Sequence, residues 1–149
     1  GGGGGGGASS PGGGVLEVKC PSKPSPYTAM PYTTLPLYYM PQMQGLMHIF
    51  DREFCDLYAW TSVNGSALFR VPRDREYWAM LEEDLRRFWF EHVVPARRAR
   101  AGGGADARAI ASEFGPGDNS SNAKDIKARG RQLAKAAVEM RFIQEHRGL

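Results

Sequence analysis

Two cysteines and three histidines are spread over 149 residues, too thinly for a disulfide framework or a Cys/His metal set. Cys20 and Cys55 are therefore expected to be reduced and mostly buried, which fits a reducing, intracellular setting. No stretch approaches the roughly 20 apolar residues that cross a bilayer, and no charged-then-apolar signal segment opens the chain, so a soluble protein without a membrane partner is expected. Charge of either sign is missing from residues 1–14, which are Gly except for Ala8, Ser9, Ser10 and Pro11. Glycine loses more backbone entropy on folding than any other residue, so this segment is expected to be disordered. The chain opens on Gly rather than Met, which leads to the expectation of a fragment or a processed product.

What is present is unevenly charged. Residues 15–95 carry 8 Lys and Arg against 10 Asp and Glu, a net of −2, while residues 96–149 carry 11 against 6, a net of +5. A basic tail of this kind is a contact for nucleic acid or an acidic partner, or simply a soluble tail.

Residues 15–20 alternate Leu16 and Val18 with Glu17 and Lys19 before Pro21, the pattern of a strand with its charged pair on one face. Residues 36–50 repeat Leu37, Met40, Met43, Leu46, Met47 and Phe50 at intervals of three or four, which predicts a helix. Pro36 suits its first turn, whereas Pro41 deforms that turn or moves the start later. Two strands follow, over residues 54–60 and 67–71. Asn64-Gly65 between them predicts a type I′ hairpin, in which both central residues take positive φ.

Asp74 reads as the N-cap of a helix ending near Pro95, with Trp78, Leu81, Leu85, Phe88 and His92 along one face. Residues 96–121 show no sustained period and read as a flexible linker. A last basic amphipathic helix is expected over residues 122–147, with Leu133, Ala137, Met140 and Ile143 on one face.

Glu17 and Lys19, two apart on one strand, set a carboxylate beside an ammonium. That is the arrangement needed to hold a hard cation next to a group that stabilises charge on phosphate. An exposed ion pair on a solvated face is the plain alternative. Gln42 and Gln44 on the following helix are read, from the residues alone, as facing solvent. His48 and His92 lack a second ligand at metal spacing and are read as packing residues. Asp51 reads as a turn residue, and Arg73 and Arg75 as phosphate contacts or solvated charges, with equal weight.

Glu17-Val18-Lys19-Cys20-Pro21 is followed by Leu35-Pro36-Leu37-Tyr38-Tyr39-Met40-Pro41-Gln42-Met43-Gln44-Gly45-Leu46-Met47. Phe54-Cys55-Asp56-Leu57 and Val71-Pro72-Arg73-Asp74-Arg75-Glu76-Tyr77-Trp78 come next. In this order, over about residues 15–95, the chain resembles the C-terminal half of a YqaJ-type viral recombinase domain. That family is related to phage lambda exonuclease within the PD-(D/E)XK nuclease superfamily. The resemblance implies an α/β fold: a restriction-endonuclease-like core, incomplete at its N-terminal side, with a mixed sheet flanked by helices.

It also implies a metal-dependent exonuclease acting on linear duplex DNA ends, with Mg²⁺ or Mn²⁺ as cofactor, and it allows oligomers as in relatives. By the same resemblance Glu17 and the Val18 carbonyl hold the metal, Lys19 assists the attacking water, and Gln42 and Tyr39 line the site. The family's further metal-binding Asp, expected upstream of the Glu-x-Lys strand, has no counterpart in residues 1–14. Two outcomes follow: a nuclease completed by an upstream segment of a longer chain, or an inactive remnant that binds nucleic acid or protein. Truncation of the core is expected to leave an uncovered sheet edge with aromatics such as Phe54 and Tyr58 exposed.

Overall fold

Alternating apolar and polar residues set the strands, and their pairing sets the sheet. In the computed structural model, which describes residues 13–23, 25–102, 106–115 and 122–142, the fold is mixed α/β around a four-stranded mixed sheet. The strands are β1 (Val15–Lys19), β2 (Phe54–Thr61), β3 (Gly65–Pro72) and β4 (Val138–Phe142), in the order β1-β2-β3-β4. β1 runs parallel to β2, and the other neighbours are antiparallel. The parallel pair requires a crossover, which is supplied by a 3₁₀ turn (Leu37–Tyr39) and helix α1 (Met40–Ile49). The disorder expected of the glycine run falls on residues 1–12, outside the described residues.

α1 starts at Met40 with Pro41 in its first turn, where a missing N–H costs nothing, so the proline moves the helix start later rather than kinking it. Met40, Met43 and Met47 are fully buried, and α1 packs on β2 and β1, on the sheet face that Cys55, Leu57 and Ala59 form and that Ala67, Phe69 and Val71 continue on β3. Gln44, expected at the surface, is also fully buried. Its Nε2 donates to the Pro72 carbonyl at 3.0 Å, fastening α1 to the end of β3.

The hairpin forms where expected but with a different turn. Gly65 has φ of 87° and Asn64 does not share a positive φ, so the connection is not type I′. Three residues, Ser62, Val63 and Asn64, separate the strands, and Thr61 Oγ1 donates to the Gly65 carbonyl at 2.7 Å. Asn64 spends its side chain elsewhere, donating to the carbonyls of Tyr27 (2.9 Å) and Ala29 (2.7 Å), and so pins the β1–α1 loop.

By its contacts the chain forms two compact units, one of residues up to Arg73 together with Gln132 onward, the other of Asp74–Arg131. In the second unit, Asp74 caps α2 (Arg75–Phe88) by accepting from the Tyr77 amide at 2.8 Å. A π turn, Trp89–Val93, follows, and the backbone stays helical through it into α3 (Val94–Ala101), so Pro95 does not end the helix and the π turn lies just before it. The apolar stripe of α2 is only partly covered, with Leu85 and Phe88 exposed.

Two expectations in the basic half are corrected. Residues 96–121 are not simply linker, because α3 and α4 (Ala107–Phe114) occupy part of them, and Asp106 caps α4 through the Arg108 amide. His92 Nδ1 lies 3.0 Å from the Phe114 carbonyl. The single helix expected over residues 122–147 is instead α5 (Ala123–Ala136) followed by β4. Val138-Glu139-Met140-Arg141-Phe142 alternates with period two, and the open edge of β3 offers a ladder that a helix cannot use. Residues 143–147 of that expected helix, including Ile143, lie outside the described residues.

Candidate active site

β1 is patterned against the usual rule. Its charged residues, Glu17 and Lys19, lie on the sheet face that α1 covers, while Leu16 and Val18 point to the open face at 63% and 50% exposure. Register explains the arrangement: Glu17 pairs with Leu57 and Lys19 with Ala59, both fully buried beneath α1. Two charges are thus held at the margin of an apolar core, where only mutual pairing and hydrogen bonding offset desolvation.

They are paired. Lys19 Nζ donates to Glu17 Oε1 at 2.6 Å and to Gln42 Oε1 at 3.0 Å, and Gln42 Nε2 donates to the same Glu17 oxygen at 2.9 Å. The triangle closes with Gln42 in one amide orientation. The reverse would set N–H against the ammonium and carbonyl against the carboxylate. The Lys19 ammonium also sits 4.7 Å from the centre of the Tyr39 ring, within cation–π range. Glu17, Lys19, Tyr39 and Gln42, separated by up to 25 residues in sequence, therefore meet at one point. Val18 contributes no side chain here, only its backbone.

α1 positions this cluster. Tyr39 ends the 3₁₀ turn, Gln42 lies in the first turn of α1, and the buried Gln44 locks the helix to β3, so both residues are carried to β1 by one rigid element. Tyr32 is a partner outside the residues read as site candidates, since a tyrosine in a loop carries no periodic signal. Its hydroxyl shares a 2.9 Å hydrogen bond with that of Tyr39. Burial, then the hydrogen bonds to Tyr39 and Tyr38, raise the Tyr32 phenol well above its ordinary pKa, so it stays neutral. Cys55, buried beneath the site, has its thiol pushed up to about 12 by burial, then by the charges of Glu17 and Asp56.

The other acids are engaged elsewhere. Asp56 pairs in register with Leu16, so it lies on the opposite sheet face from Glu17, where Arg70 grips it bidentately at 2.8 and 2.7 Å. Asp51 takes positive φ in the turn after α1 and accepts from Arg73 at 2.7 Å, which ties up one of the two arginines considered for phosphate. Asp74 is a helix cap that also accepts from Arg129 at 2.8 Å. His48 is exposed rather than packed. Among the described residues no group of three or more His, Cys, Asp and Glu forms a metal cage.

Magnesium does not need such a cage. It is commonly held by one or two carboxylates, with water and substrate phosphate completing its octahedron. Glu17 supplies one carboxylate and the Val18 peptide a neutral oxygen on the same strand, so the donor set fits that minimal, substrate-completed site. Chemically, the cluster is a carboxylate held in place by an ammonium and an amide, each able to turn toward an anionic substrate. No helix of the described residues is long and apolar enough to cross a membrane. No family model, curated protein or solved structure matches this chain.

Proposed function

We propose that this protein is a metal-dependent deoxyribonuclease of the viral recombinase type, an exonuclease hydrolysing phosphodiester bonds at the ends of linear duplex DNA. The observation that carries the reading is the convergence of Glu17, Lys19, Gln42 and Tyr39. These residues follow one another in the sequence as Glu-x-Lys and then Tyr-x-x-Gln, and they share hydrogen bonds and a ring contact across the β1–α1 crossover. On this reading the sheet with its α1 crossover is the C-terminal half of a restriction-endonuclease-like core.

Glu17 and the Val18 carbonyl would hold Mg²⁺ or Mn²⁺, which when bound supplies a lowered pKa for the attacking water and neutralises charge on the phosphate. Lys19 orients that water, or donates to the phosphoryl oxygens as charge builds on them. Its ammonium is already held in place by Glu17 and Gln42, so little reorganisation is needed. Gln42 sets the Glu17 carboxylate through its Nε2 donor, whose second N–H can donate to a phosphate oxygen on substrate binding. Tyr39, braced by Tyr32, keeps a ring face against the ammonium.

A second reading, an inactive remnant that binds nucleic acid or protein, is favoured by one observation. Among the described residues Glu17 has no second carboxylate beside it, because Asp56, Asp51 and Asp74 are committed elsewhere. Mg²⁺-dependent degradation of linear duplex DNA, with Lys19→Ala as the paired control, separates the two. Degradation lost in the control supports the nuclease. A folded chain that degrades nothing leaves the remnant.

A further inference from the structure

Within the second unit the end of α2, the π turn, α3 and α4 surround a hollow of about 320 Å³, lined by Phe88, Val93, Ile110 and Phe114 together with Arg97 and Arg100. That volume lies at the small end of the range for ligand pockets and suits one compact molecule. Its walls are fastened to one another. His92, also in the lining, has Nδ1 3.0 Å from the Phe114 carbonyl, and since a carbonyl only accepts, Nδ1 carries the proton and ties the π turn to the last residue of α4. Asp106 caps the start of α4 by accepting from the Arg108 amide. The π turn, a rare form of helix that recurs at functional sites, supplies both His92 and Val93.

The lining has two chemistries. Phe88, Val93, Ile110 and Phe114 are hydrocarbon, and Phe88 is left exposed at the end of the α2 stripe. Arg97 and Arg100 lie three apart on α3, hence on one side of it, and both are exposed. Arg70, Arg73, Arg87 and Arg129 each meet a carboxylate, whereas among the described residues none pairs with Arg97 or Arg100. Two guanidiniums without a carboxylate beside an apolar concavity are complementary to an anion carried on hydrocarbon. The body of such a ligand takes water off the rings, and its carboxylate meets the planar N–H fork that arginine offers. Inorganic phosphate would leave the apolar lining wet, and a neutral hydrocarbon would make no use of either guanidinium.

We infer that this hollow is a binding site for a small apolar carboxylate, with the hydrocarbon against Phe88, Ile110 and Phe114 and the carboxylate on Arg97 and Arg100. The site is independent of the nuclease reading, since no residue of the Glu17–Lys19 cluster lines it.

The test is a calorimetric titration of the full chain with three probes: octanoate, octanol as the same chain without charge, and acetate as the same charge without a chain. Octanoate is expected to bind once per chain with Kd below about 1 mM, octanol about fivefold more weakly, and acetate not detectably. Arg97→Gln and Arg100→Gln, at exposed positions where the fold is not at stake, are each expected to weaken octanoate about fivefold and to leave octanol unchanged. Ile110→Trp, which fills the hollow, is expected to weaken octanoate and octanol alike in a chain whose circular dichroism matches the parent. Should that variant not fold, the arginine variants decide. The inference is overturned by a folded parent chain that shows no saturable octanoate binding, or by equal affinities for octanoate and octanol. Acetate binding as well as octanoate, the mark of an open basic surface, overturns it too, as does an octanoate affinity unchanged in both arginine variants.

Discussion

The two faces of the sheet are made from the same strands and differ in almost everything else. Beneath α1, Cys55, Leu57, Ala59, Phe69 and Val71 are at most 2% exposed, and the charged residues of β1 stand at the margin of this core. On the other face Leu16 and Val18 are exposed, Arg70 lies over the Phe54 ring at 4.0 Å, and Asp56 is tied to Arg70. The exposure expected of Phe54 and Tyr58 is corrected, since both are half-buried, and Trp60 is exposed on this face instead. The lesson is that a polar site in this fold is kept in geometry by the closely packed face. The apolar residues of β1 are left to the solvent.

The largest effect that tests this contrast is in catalysis. Glu17→Ala is expected to lower the rate of linear duplex degradation by about 10²–10³-fold, as for loss of a group aimed at transition-state charge. Val18→Ala, which keeps the peptide oxygen and changes only the open face, is expected to leave the rate within about twofold, because no side-chain contact to the site is removed. Comparable losses in the two variants, measured as kcat on the same substrate, would break the division between faces.

Stability should divide in the same way. Phe69→Ala on the packed face is expected to cost about 3–5 kcal/mol in urea unfolding, against roughly 0.5 kcal/mol or less for Leu16→Ala on the open face. A smaller effect tests the fastening of α1. Gln44→Leu removes the donor to the Pro72 carbonyl and leaves a buried acceptor unmet, for a loss of about 1–3 kcal/mol. On the proposed nuclease reading, degradation of linear duplex DNA should fall along with stability, since Tyr39 and Gln42 ride on the same helix.

The smallest effect is in pH dependence. Cys55 is held above its ordinary value of 9.0, at about 12, so the folded state keeps a proton that the unfolded state releases. Its contribution to stability is therefore complete below about pH 9 and is lost as pH rises toward about 12. Cys55→Ala should flatten that alkaline decline in a series of urea midpoints. An unchanged slope would show that the buried thiol is not its source.

Much of residues 15–88 was legible in the sequence because short-range chemistry specifies it. Alternation over residues 54–60 predicts the faces of β2, and Asp74 before an amphipathic run predicts a cap, which forms at Tyr77. The basic half was less legible. Pro95 reads as a terminator by local rules but the helical backbone runs through it into α3, and residues 138–142 suit either a helix continuing α5 or a strand. Only the open edge of β3, a partner remote in sequence, decides for the strand.

The candidate site divides along the same line. The sequence by itself determined which groups are present: Glu17 and Lys19 two apart on a strand, and Tyr39 and Gln42 three apart on a helix. It left open whether Pro41 deforms that helix or moves its start later, and the later start is seen only in the structure. Tertiary structure decided what they do to one another. The parallel register of β1 on β2 turned the charged pair toward α1, and the burial of Gln44 set the helix on the sheet. The physical reason is the range of the forces. Propensity and alternation act over a few residues and are written locally, whereas register and crossover packing are settled by apolar area buried between segments far apart in the chain.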